Sequence, residues 1–280
     1  MTPSAPLDHQ TETVAWREVG IGEPLVFLHG LGGTRTSWGP QLRGLCDQYR
    51  CIAWDMPGYG ASAPLEPLTY RGIAERLVEL LDHLEIAAAT LIGLSFGGMH
   101  ALHTALEFPD RVSCLVLADT SPAFGLDGTD RDEWTRARLG PIDQGRSPAD
   151  AAEAIIDSIT AAPLAGTIRT ETIDSFGRIS ARGFRAAVEC LPTNDVRHRL
   201  RDIVQPTLVL VGELDHETPV SYSELLHRGI AQSALRVLPG IGHLTPAEAP
   251  ERFNAALVGF LTTTPPPSPP CEPYTAPGAV

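Results

Sequence analysis

The chain has 280 residues, 43% of them hydrophobic, with a formal net charge of −13; all 21 basic residues are arginine. That size suits one large α/β domain or two small ones, and the acidic balance repels a phosphate backbone, so nucleic acid is excluded as a natural partner. No apolar run approaches the roughly 18 residues needed to cross a bilayer. Residues 1–10 lack a cationic start and an apolar stretch, so they read as a loose leader rather than a secretory signal, and the expected location is cytoplasmic.

The first structured stretch is Val14 to Val19, which alternates and then meets Gly20-Ile21-Gly22-Glu23-Pro24, a turn signature. Leu25-Val26-Phe27-Leu28 is a short continuous apolar run, the pattern of a strand covered on both faces. Similar runs return at Cys51–Trp54, Thr90–Leu94, Val112–Ala118 and Thr207–Val211, with a weaker one at Leu235–Leu238. Between them lie helical stripes: Ile73, Leu77, Leu80, Leu81 and Leu84; Met99, Leu102 and Leu106; Phe253, Leu257, Phe260 and Leu261. This alternation predicts an α/β fold with a mostly parallel twisted sheet and helices on both faces. Ligands in such folds bind beyond the carboxyl ends of the strands.

The alternation stops over residues 121–201, which are helical in character and form a helical insertion. The expected division is therefore a core in two parts, 11–120 and 202–262, an inserted segment at 121–201, and a Pro-rich disordered tail at 263–280. Seven prolines follow Thr262. The five cysteines form no CxxC pair and no Cys/His cluster, so neither a metal site nor a disulfide framework is expected, and no cofactor motif is present.

Gly93-Leu94-Ser95-Phe96-Gly97 is a G-x-S-x-G pattern lying directly after an apolar strand and directly before a helical stripe. A strand that turns this sharply into a helix needs small residues on either side of the serine, and it presents the hydroxyl at a helix N-terminus that favours a developing anion. A serine needs a base to become a nucleophile. Of the nine histidines, His243 sits in a glycine-flanked loop after the last strand, where an imidazole can reach over the sheet edge. His83, His100 and His103 lie on predicted helices, His216 and His227 are set aside on similar grounds, and His9 and His198 lack a strand-end context. His29 reads as structural support for its loop. The acid that orients the base is Asp215, just past Val209–Gly212. Glu213 stands too close to the strand end, and Glu217 reads as a first-turn helix acid. The backbone N–H groups of Phe96 and of Leu31, the latter in the loop His29-Gly30-Leu31-Gly32-Gly33, are the expected oxyanion donors.

Taken with Asp55-Met56-Pro57-Gly58-Tyr59-Gly60-Ala61-Ser62 and with Gly242-His243 and Glu248-Ala249-Pro250, these motifs resemble the α/β-hydrolase superfamily over about residues 12–262. Ser95-Phe96-Gly97-Gly98-Met99 and Leu117-Ala118-Asp119-Thr120 are similar to 3-oxoadipate enol-lactonases and related carboxylesterases. The resemblance implies a Ser-His-Asp hydrolase acting on a small ester or lactone without a cofactor, with residues 121–201 as a cap. It also implies Trp134, Arg136 and Arg138 as candidate substrate contacts, where arginine would suit a carboxylate-bearing substrate. A homo-oligomer is compatible with the sequence. Alternatives are a C–C hydrolase of meta-cleavage products, a cofactor-free haloperoxidase or perhydrolase, and a ligand-binding receptor on a hydrolase scaffold. The absence of Gly-Pro-Gly after His29 weighs against the first of these. Serine rather than aspartate at 95 weighs against dehalogenase and epoxide hydrolase chemistry.

Overall fold

The computed structural model describes residues 5–263. In chain order the strands are β1 (Leu7–Gln10), β2 (Ala15–Val19), β3 (Glu23–Leu28), β4 (Tyr49–Trp54), β5 (Ala89–Leu94), β6 (Val112–Ala118), β7 (Thr207–Gly212) and β8 (Ser233–Leu238). They form one sheet in the order β1-β2-β4-β3-β5-β6-β7-β8. β3 to β8 pair in parallel, whereas β1 with β2 and β2 with β4 are antiparallel. The α/β architecture read from the alternating runs is therefore the one observed.

The continuous apolar runs have a simple cause. In β3, Val26 and Leu28 face one core, while Leu25 and Phe27 face another on the opposite side of the sheet. Both faces are covered from Leu25 to Leu28, and all four residues there are apolar. Helices α1 (Gly39–Leu45), α2 (Tyr70–His83) and α3 (Phe96–Glu107) follow β3, β4 and β5. Ile73, Leu77 and Leu81 of α2 and Leu102 of α3 pack with Val26, whereas Trp38 and Leu42 pack with Phe27. Full burial of each such large side chain stabilises the fold by about 1.5–3 kcal/mol.

Between β6 and β7 the chain forms α4 (Arg131–Asp143), α5 (Ala152–Ile159), α6 (Gly166–Gly177) and α7 (Ala181–Cys190), with no sheet strand. The isolated bridge Tyr59↔Ile179 ties this insertion to the body, while Ala123↔Asp195 joins its two ends. After β7 come α8 (Val220–Gly229), then β8, then α9 (Thr245–Glu248) and α10 (Pro250–Thr263).

The leader reading of residues 1–10 needs correction at its end. Leu7–Gln10 is strand β1, paired antiparallel to β2. All four residues are exposed, so no apolar pattern marks them. The strand is held by the ladder, by Asp8 accepting from Arg17 and Arg35, and by His9 stacking on Trp16 at 5.4 Å. Residues 1–4 and the proline-rich tail from 264 onward lie outside the described residues; Thr263 itself closes α10. Among the described residues no helix is long and apolar enough to cross a membrane, and Cys46, Cys51, Cys114 and Cys190 are buried and free.

Strand order reverses beside β3. The chain steps from β3 out to β4, then returns across β3 to β5. A crevice opens at the carboxyl ends of β3 and β5 in such a switch, and the candidate site occupies it.

Candidate active site

Ser95 is the single residue between β5 and α3, at φ 54° and ψ −117°. A non-glycine residue there costs on the order of 1–3 kcal/mol and persists only if its surroundings impose it. They do so: the Ser95 N–H donates to the Ala118 carbonyl at 2.8 Å, and the Ser95 carbonyl accepts from the Thr120 hydroxyl at 2.7 Å. Gly93 and Gly97 are required by close approach, since a methyl at Gly97 would run into the Leu28 carbonyl and one at Gly93 into the Gly97 carbonyl.

His243 lies in the loop between β8 and α9. Its Nε2 is 3.0 Å from the Ser95 Oγ, and its Nδ1 is 2.9 Å from Asp215 Oδ2 and 3.0 Å from Oδ1. With the Nδ1 proton directed to the carboxylate, Nε2 is left to accept the Ser95 hydroxyl proton. Asp215 follows β7 and also accepts from the Glu217 and Thr218 N–H groups, at 2.9 and 3.0 Å, and from the Thr218 hydroxyl at 2.8 Å. Burial works to raise the Asp215 pKa, but the His243 charge and hydrogen bond and the Thr218 donors outweigh it and hold the carboxyl below its ordinary value. Burial works to lower His243, yet the Asp215 charge and hydrogen bond, helped by Asp119 and Glu217, lift it to about 9.

The glycine loop after β3 faces Ser95. Neither the Leu31 nor the Phe96 N–H has a hydrogen-bond acceptor among the described residues. His29 supports this loop: its Nδ1 lies 2.9 Å from the Gly30 carbonyl, and its Nε2 accepts from the Met56 N–H at 3.1 Å. That bonding requires the neutral imidazole, and burial depresses its pKa in the same sense.

Above Ser95 and His243 lies a cavity of about 530 Å³. Its roof is largely apolar, with Ile155, Ile156 and Ile159 of α5, Phe176 of α6 and Phe184 of α7. Trp134 and Arg138 also face it, the Arg138 guanidinium carbon lying 4.0 Å from the Trp134 ring centroid and its Nη2 3.7 Å from Glu217 Oε2. Arg136 does not join them. It is exposed and off the cavity, because residues four apart on α4 share a face whereas a residue two along points away.

A model of the family described as alpha/beta hydrolase fold matches residues 23–136. The 3-oxoadipate enol-lactonase 2 of Acinetobacter baylyi is 30% identical over 91% of this chain and 98% of its own length. The chain belongs to the α/β-hydrolase family. Similar α/β-hydrolases include the pimeloyl-[acyl-carrier protein] methyl ester esterase of Photobacterium profundum, 29% identical over 90% of this chain and 99% of that protein. The esterase of Exiguobacterium antarcticum superposes with a TM-score of 0.82 at 27% identity, covering 89% of this chain and 95% of that one. The likeness to enol-lactonases and esterases thus holds across nearly the whole chain and supports a hydrolase.

Three residues at the site of this α/β-hydrolase carry no role in the sequence expectations, among them His216, which is set aside there with the helical histidines but precedes α8. Thr218 donates to Asp215 and lies 3.5 Å from His243 Nδ1. His216 lines the cavity, and its position one residue after Asp215 is the signal that places it near the site. Asp119, at the end of β6 with φ 45°, accepts from the Gly212 N–H at 3.0 Å and from the Thr245 hydroxyl at 2.6 Å. Burial and the nearby Asp215 charge push its pKa well up. Its strand-end position matches that of Asp215, which is the signal that could have found it.

Proposed function

We propose that this α/β-hydrolase cleaves a small carboxylic ester or lactone, as an enol-lactonase or carboxylesterase does, through an acyl-enzyme on Ser95. The observation that carries the reading is the 3.0 Å separation of His243 Nε2 from Ser95 Oγ, beneath a largely apolar cavity. His243 takes the hydroxyl proton as Oγ attacks the carbonyl carbon. The oxyanion settles on the Leu31 and Phe96 N–H groups, each such donor being worth roughly 100- to 1000-fold in rate. His243 then returns the proton to the leaving oxygen, the alcohol of an ester departs or that of a lactone stays tethered to the acyl group, and water attacks the acyl-enzyme under the same base. Asp215 keeps the imidazole in the required tautomer. The helices of 121–201 serve as a cap that excludes bulk water and shapes the acyl pocket. A pre-steady-state burst of p-nitrophenol from p-nitrophenyl acetate tests the scheme. A linear release that never exceeds the free-ester rate overturns it.

The charge state of His243 sets the pH dependence. Only the neutral imidazole accepts the Ser95 proton, and its pKa is lifted to about 9. Protonated, inactive enzyme therefore persists to higher pH than an ordinary histidine near 6.5 would allow. The kcat/KM for p-nitrophenyl acetate should climb with pH on a single limb whose midpoint lies above about 6.5 and toward about 9. A profile flat from about pH 6 to about pH 9 contradicts this.

Arg138 supports a substrate bearing a carboxylate, which would replace the loose Glu217 contact with a charge-assisted hydrogen bond. Such bonds contribute about 1.5–3 kcal/mol. Arg138→Met should therefore raise KM for a hemiester of a dicarboxylic acid by about 10- to 100-fold while leaving neutral p-nitrophenyl acetate within about twofold. An equal change for both esters removes the role.

A further inference from the structure

Glu248, in the Glu248-Ala249-Pro250 motif, plays no part in the chemistry above, yet its carboxylate gathers three backbone hydrogen bonds. Oε2 accepts from the Gly242 N–H at 3.0 Å and from the Ala161 N–H at 2.8 Å, while Oε1 accepts from the Leu244 N–H at 3.0 Å. Gly242 and Leu244 flank His243. Ala161 belongs to the insertion, two residues beyond the end of α5. A second link runs alongside, because the His243 N–H donates to the Ile159 carbonyl at 2.9 Å.

Gly242 makes the approach this close. A methyl there would meet the Ala161 nitrogen at 2.6 Å, the Ile159 oxygen at 2.8 Å and Glu248 Oε1 at 3.0 Å. Its φ is not positive, so the missing side chain answers to the contact with the insertion and not to backbone conformation. Ile155, Ile156 and Ile159 of the same α5 roof the cavity. The segment that covers the substrate and the loop that carries the base are thus stapled through one carboxylate.

We infer that Glu248 is a positioning residue that couples the α5 end of the insertion to His243, so that the imidazole is held over Ser95 only while the cavity roof is in place. The inference rests on the reading of His243 as the base. Its consequence is a filter acting on turnover: an acyl group bulky enough to lift α5 also displaces the base, so it binds but reacts slowly. Misplacing a reacting group by about an ångström costs on the order of 100-fold.

Two variants disturb the staple from opposite sides. Glu248→Ala removes the acceptor, and Gly242→Ala wedges the insertion away. Amide hydrogen exchange across residues 159–161 and 242–244 should accelerate together in each variant. With p-nitrophenyl acetate, kcat should fall by roughly tenfold or more with KM nearly unchanged, and the double variant should be no slower than the slower single one. Exchange that accelerates in only one of the two segments, or a Glu248→Ala kcat within about twofold of the parent, overturns the coupling. Exchange needs no turnover, whereas the p-nitrophenol burst tests the hydrolase reading, so the two ideas can fail separately.

Discussion

Replacing Ser95 with alanine is expected to lower kcat for p-nitrophenyl acetate by roughly 10^4- to 10^6-fold and to abolish the burst. The alanine has no oxygen to acylate, so what survives is the contribution of substrate binding and the oxyanion donors, typically about 10^3- to 10^4-fold over water. Folding should not suffer. The Ser95 backbone is fixed by its N–H bond to Ala118 and its carbonyl bond from Thr120, neither of which involves the hydroxyl. Among the described residues the hydroxyl bonds only His243. Circular dichroism and the unfolding midpoint should therefore match the parent protein while the rate collapses. His243→Ala should cost nearly as much, and the double variant little more, because nucleophile and base act in the same step. Residual turnover by Ser95→Ala within about tenfold of the parent would end the acyl-enzyme reading.

The sheet is legible in the sequence wherever both faces are covered, because two-sided burial selects runs that are almost wholly apolar. β5 and β7 are the clearest cases, each buried along its whole length. Legibility fades toward the edges. β8 is partly exposed and gives only a weak run, and β1 is wholly exposed and gives none, its existence depending on the β2 ladder it joins. The positions of Ser95, Asp215 and His243 are readable for a related reason: each stands just past a strand or in the loop after it, and the fold gathers such places at one rim. Contacts across the fold are not readable that way. Glu248 reaches Ala161 of the insertion through geometry that no local pattern encodes, and Asp119 meets the Gly212 N–H only because β6 and β7 are neighbours. Arg136 shows the opposite error, where nearness in sequence to Trp134 ignores the phase of the helix.

Asp215→Asn should slow hydrolysis by about 10^4-fold with the fold intact, and the hydrogen bonds around the carboxylate say why. Oδ1 accepts from the Glu217 and Thr218 N–H groups at 2.9 and 3.0 Å. Those two fixed donors require an oxygen in that position, so the introduced amide must turn its NH2 toward the place of Oδ2, where the Thr218 hydroxyl and His243 Nδ1 now sit at 2.8 and 2.9 Å. The hydroxyl can rotate and accept instead. The imidazole cannot adapt without loss. Nδ1 then lies 2.9 Å from a donor and 3.0 Å from the retained Oδ1; wherever it accepts from the new NH2, the ring proton moves to Nε2, and Nε2 can no longer take the proton of Ser95. Asp119 offers no replacement, since its oxygens are engaged by the Gly212 N–H and by Thr245. The pH profile gives an independent check. Loss of the negative charge that most strongly lifts His243 should move the limb of kcat/KM to lower pH, so that the variant is uniformly slow yet reaches its plateau earlier than the parent. A variant that keeps its rate within about tenfold, or whose limb stays where the parent's lies, would show that Asp215 does not set the state of the base.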